Sequence, residues 1–200
     1  EKTILRIDLR DLDWGFPIWI KIINQYPYGA KYKHQSFKEV CDLTDATTPF
    51  IRADWFIANA ALPPLYHEIL KLPETDKELE AYLRVNVARN LEESPGLRVL
   101  RSGFLDSGVS NFNRIVERHR SSYGAYWKSY DFDSNIGLKN IFKNPLNFKQ
   151  AGGEIIFNLP NGLLAYLLVD DQGKRLDEAP VTIVFSNVGV PVINNGLSCM

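Results

Sequence analysis

Two strand-length apolar runs separated by Asn161-Gly162 constrain this chain more than any other feature. Glu154 to Leu159 and Leu163 to Val169 flank that dipeptide, and Asn-Gly between apolar runs is a strong β-hairpin signal. Asp171-Gln172-Gly173 turns the chain again, and Val181 to Phe185 reads as a further strand. Ahead of the hairpin, Ala125-Tyr126-Trp127-Lys128-Ser129-Tyr130 is rich in aromatic residues, a strand-favouring composition. The second half is therefore expected to build an antiparallel sheet.

The first half reads as helical after one strand. Leu5, Ile7 and Leu9 alternate with Arg6, Asp8 and Arg10, the pattern of a half-buried strand. Phe16-Pro17 opens a helix with an apolar stripe at Ile18, Trp19, Ile22 and Ile23, and Pro27 stops it. Phe37, Val40 and Cys41 share a face of another. A third helical stretch runs to Ala61 and is broken by Pro63-Pro64, and Leu65, Ile69 and Leu70 form a short helix ending near Pro73. Thr75 with Glu78 three residues later makes a capping box. Ser110 is read as the cap of a helix reaching Arg120, with Val109, Phe112, Val116 and His119 on its apolar face. The fold class is α+β, a helical first half packed on an antiparallel sheet formed mainly by the second half. Apolar residues make up 45% of the chain, enough for one core, so residues 1–200 are taken as a single α+β domain.

Charge and hydropathy exclude some roles. Basic and acidic residues nearly balance at a net charge of -1, unlike the basic excess of a dedicated nucleic-acid binder. Lys31, Lys33 and Lys38 cluster near His34 as a solvated loop. No apolar run reaches the roughly 18 residues that span a bilayer, so no transmembrane segment is expected. There is no glycine-rich phosphate loop, no nucleophile elbow around Ser107 and no His-Glu-x-x-His spacing.

The chain ends Asn195-Gly196-Leu197-Ser198-Cys199-Met200. Cys-Met is the first half of Cys-x-x-Cys-His, in which two thiols add to haem vinyl groups and the His lies under the iron. The second Cys and the His fall beyond Met200. Several other stretches occur with this ending: Ile51-Arg52-Ala53-Asp54-Trp55-Phe56, Pro63-Pro64-Leu65-Tyr66-His67, Glu117-Arg118-His119, Gly124 to Phe132, and Leu159-Pro160-Asn161-Gly162-Leu163. Together, from Ile4 to Met200, the chain resembles the domain that precedes a Cys-x-x-Cys-His haem motif in secreted bacterial c-type cytochrome-like proteins. The resemblance implies a longer chain continuing into the haem-attachment motif, haem c with Cys199 as first thioether cysteine, a periplasmic or extracellular location, and electron transfer or redox chemistry. The partner would be a redox protein or a small molecule.

Other candidates carry two readings each. His119 is a distal haem or metal ligand, or a core histidine satisfied by a carboxylate or carbonyl. Trp127 with Tyr126 and Tyr130 lines a haem or ligand pocket, or forms an ordinary sheet face. Arg118, with Arg114, Glu117 and Arg120, meets haem propionates, since Arg matches carboxylate geometry, or forms ion pairs with Asp131 and Asp133. The competing functional class is a cofactor-free extracellular binding or assembly module, presenting Tyr126, Trp127 and Tyr130 to a partner or carbohydrate. A hydrolase whose acids meet only in the fold is a third class.

Overall fold

A computed structural model describes residues 15–27, 35–45, 51–92, 99–187 and 189–197. The expected strand at Ile4–Arg10, the Lys31/Lys33/His34 cluster and Cys199-Met200 lie outside the described residues.

Among the described residues six α-helices come first: α1 (Phe16–Gln25), α2 (Gln35–Thr44), α3 (Ala53–Ala60), α4 (Leu65–Leu70), α5 (Asp76–Leu83) and α6 (Val87–Glu92). Strands β1 (Leu100–Phe104), β2 (Arg114–Ser121), β3 (Gly124–Asp131), β4 (Gly152–Asn158), β5 (Leu164–Asp170) and β6 (Arg175–Leu176) follow. They form one antiparallel sheet in sequence order, so the α+β architecture stands as expected. No helix among the described residues is long and apolar enough to cross a membrane.

Local signals set many boundaries. Pro17 occupies the first turn of α1, where its missing N–H costs nothing. The Thr75 hydroxyl accepts from the Glu78 amide while the Glu78 carboxylate accepts from the Thr75 amide, closing the capping box of α5. The β4–β5 hairpin turns through Gly162 at φ +85°, a left-handed conformation favouring glycine.

Two expectations are corrected. Residues 114–121 are strand β2, not the end of a helix begun at Ser110. Its inward positions are Ile115, Glu117 and His119. Two of the three are polar, so the alternation of a half-buried strand was masked. Val181–Phe185 is not a strand either: it follows Pro180 as a turn, and Ile183 and Val184 cover the sheet.

The sheet packs on both sides, unequally. One face carries Tyr126, Ile155, Phe157, Ala165, Leu167 and Val169 against Tyr66, Leu72, Leu79, Leu83, Val85 and Val87 of the helical half. The opposite face is covered at its β5–β6 end by Ala179, Ile183, Val184 and Ile193 over Leu168 and Leu176. Helices α1, α3 and α4 join through Ile18, Ile22, Leu65, Trp55 and Phe56. At the β1 end, Phe132, Ile141 and Phe148 pack around Ile115.

Candidate functional site

Strand periodicity divides the sequence-predicted site residues between the two faces. His119 pairs with Tyr126 in register and points with it toward the helices, while Arg118 pairs with Trp127 on the opposite face. Arg118 stacks on Trp127 with its guanidinium carbon 5.4 Å from the ring centre, and Trp127 is partly exposed. The structure thus joins Arg118 to Trp127 and separates both from His119. It also corrects the three-aromatic platform: Tyr126 is fully buried and Tyr130 faces the helical side, leaving Trp127 alone on the open face.

His119 is fully buried and both its ring nitrogens have partners. The Asn90 amide lies 3.2 Å from Nδ1 and the Glu117 carboxylate 3.1 Å from Nε2. An amide N–H meeting Nδ1 requires the ring proton on Nε2, which then donates to Glu117. Glu117 is itself 0% exposed and fully satisfied. One oxygen accepts from the Arg101 guanidinium, the other from His119 and from the Tyr130 hydroxyl at 3.2 Å. Burial alone would raise the Glu117 pKa. The His119 hydrogen bond and the Arg101 charge outweigh burial and hold it below the usual carboxylate value.

A second buried cluster adjoins the first. Lys128 Nζ donates to Asp76 at 2.6 Å and to Glu80 at 3.0 Å, and the Tyr126 hydroxyl donates to Glu80. Burial favours neutral lysine, but Glu80 and Asp76 outweigh it and raise the Lys128 pKa, so the ammonium persists. Lys128 Nζ also lies 5.6 Å from the Tyr130 ring centre, whose hydroxyl reaches Glu117. The two clusters form one polar seam between sheet and α5–α6. Arg114 and Asp131 pair on the other face at 2.6 Å, as the ion-pair reading expected.

The site that sequence reasoning passed over lies where the chain approaches Cys199. Asn195 is fully buried. Its amide nitrogen meets His67 Nε2 at 2.9 Å and the Leu176 carbonyl at 3.2 Å, and its backbone N–H donates to the Asp177 carbonyl. His67 is buried in α4, with Nδ1 3.5 Å from Asp177. Burial, then the Arg175 charge, depress its pKa and keep it neutral, with Nε2 as acceptor. Gly196 has φ +96°, and a Cβ there would stand 2.6 Å from the Ala61 carbonyl and 2.9 Å from the Tyr66 ring. Only glycine fits. Asn195 Oδ1 is buried without a hydrogen-bond partner. His119, on β2, sits four strand spacings from β6, on the order of 19 Å away.

Among the described residues, no three His, Cys, Asp or Glu side chains converge in a group able to hold a metal ion. A cavity of about 120 Å³ lies under the 179–193 segment, lined by Leu168, Leu176, Ile183, Val184 and Ile193, with the Arg114–Asp131 pair at its wall. Compared with protein families, characterised proteins and solved structures, the chain finds no significant match.

Proposed function

We propose that this is a scaffold domain for a c-type haem attached through Cys199, serving electron transfer or small-molecule redox chemistry in an exported protein. The observation that carries the reading is the anchoring of Asn195 and Gly196 on the α3–α4 corner, immediately before that cysteine. A thioether needs a fixed root if the haem is to hold one orientation. Cys199 follows Gly196 by three residues, which span at most about 11 Å, so a haem attached there would be held within reach of this corner. When bound, the haem supplies a one-electron carrier whose potential its surroundings tune. On the protein side, Cys199 would hold it, with Asn195 and Gly196 fixing the backbone that leads to it and neutral His67 orienting Asn195.

The test is haem incorporation by the native-length polypeptide, produced with c-type maturation, against a Cys199→Ala variant. The reading expects x-Cys-His after Met200 and covalent haem that is lost or reduced to single-thioether attachment in the variant. Another continuation, with no covalent haem in either protein, would overturn it. One observation favours the cofactor-free binding module instead: the partly exposed Arg118–Trp127 stack on the open sheet face. That reading expects a folded, colourless protein whose ligand binding is lost in Trp127→Ala.

A further inference from the structure

The 136–149 loop presents side chains that nothing in the haem reading uses. Its sequence runs Ile-Gly-Leu-Lys-Asn-Ile-Phe-Lys-Asn-Pro-Leu-Asn-Phe-Lys, with three lysines and no acid. Ile141 and Phe148 turn inward, onto Ile115 and Phe132. Ile136, Leu138, Phe142 and Leu146 turn outward, and Ile136 and Leu146 are 81% and 82% exposed. Phe104 and Leu105, also exposed, adjoin them: the neighbouring Gly103 lies against Ile141 and Phe142.

This outward display is built in. Asn140 Oδ1 accepts from the amides of Phe142 and Lys143, and Asn144 donates to the Gly137 carbonyl at 2.8 Å. Asn113 holds the Lys139 carbonyl, Arg101 holds that of Pro145, and the Lys149 amide returns to Leu138. A loop this thoroughly hydrogen-bonded keeps its apolar tips in water as a defined surface. Lys143 and Lys149 stand exposed beside them, and Lys139 pairs with Asp133.

We propose that this basic, apolar loop face docks on an anionic lipid surface. Apolar side chains inserted to headgroup depth, flanked by lysines, are the two-part chemistry of interfacial membrane binding. Charge decides between occupants. A second copy would set lysine patch against lysine patch, which repels. None of these tips lines the cavity under Ile183 and Val184. An anionic bilayer offers both the opposite charge and a deformable apolar layer.

Co-sedimentation of the intact chain with vesicles tests this. Equal-part phosphatidylglycerol–phosphatidylcholine vesicles are compared with phosphatidylcholine alone. Binding is expected only to the anionic vesicles, weakening as salt rises. The variant Lys143→Gln/Lys149→Gln should lose about fivefold in affinity per lysine, and Phe142→Ser/Leu146→Ser should lose binding. All four sites are exposed, so both variants should keep the wild-type melting curve. No binding to anionic vesicles, equal binding to neutral ones, or binding unchanged in either variant would overturn the proposal. So would a concentration-dependent dimer, or capture by polyglutamate, in place of vesicle binding.

Discussion

Glu117→Leu is the sharpest perturbation of the fold. The side chain is fully buried and its two oxygens serve Arg101, His119 and Tyr130. Leucine fills the volume and accepts nothing. Arg101, largely enclosed at 21% side-chain exposure, loses its counter-charge, while the His119 N–H and the Tyr130 hydroxyl lose their acceptor. Removing one member of a buried pair costs about 3–5 kcal/mol, and the orphaned donors do not add independently. In a chain of this size that is a fall of about 6–20 °C in melting temperature. Urea unfolding measures the free energy, provided the transition is two-state. Glu117→Gln should cost less, because its amide oxygen can still accept from Arg101 or from His119 and Tyr130, where leucine accepts from none of them. Arg101→Met/Glu117→Leu should recover much of the loss, since the unpaired charge goes with its partner. Acid supplies a further check. The Glu117 pKa is lowered in the fold, so its contribution is present above the ordinary value of 4.5 and disappears as pH falls through the folded one. Wild type and Glu117→Leu should therefore converge at low pH. A loss below about 1 kcal/mol, or an additive double variant, would refute the reasoning.

Three other outcomes follow from the same structure. Lys128→Met takes from buried Asp76 its ammonium partner, while Glu80 keeps Lys77 at 2.7 Å, and should cost about 3–5 kcal/mol. Urea melts at neutral pH read that loss. Tyr66→Phe removes a hydroxyl that accepts from the Tyr166 amide at 2.7 Å and donates to its carbonyl at 3.1 Å, standing in for a strand partner where β6 does not reach. A loss of about 1–3 kcal/mol is expected in urea melts. His67 has a depressed pKa, so its stabilising effect is present above about 6.5 and lost as pH falls through its folded pKa. A His67→Gln variant should flatten that limb of the stability–pH profile, read by thermal melts at fixed ionic strength.

The legible parts of this fold are those specified by neighbouring residues. The Thr75–Glu78 box, Pro17 and the Asn161-Gly162 hairpin each act within four residues, and each lies where its local chemistry puts it. Strand β2 was obscured because Glu117 and His119 occupy core-facing positions that normally hold apolar residues. Val109 and Phe112, which precede the strand, together with Val116 and His119 match a helical spacing. Strand β1 is an edge with almost no buried positions, so no alternation marks it. The polar seam joins α5, α6 and three strands, and Lys128 finds Asp76 across 52 positions. His67 and Asn195 are 128 residues apart. No local spacing records such a pairing. Trp127 shows the converse: a row of aromatics looked like one platform, but a period of two sends Tyr126 and Tyr130 inward.

The central claim concerns Cys199, and a mass spectrum of the denatured native polypeptide tests it most directly, read beside its pyridine haemochrome spectrum. The account expects a haem adduct that survives denaturation, localised by digestion to the peptide containing Asn195 and Cys199, with the visible bands of a c-type haem. An unmodified Cys199 peptide and no haem band in the protein from its native host would contradict it.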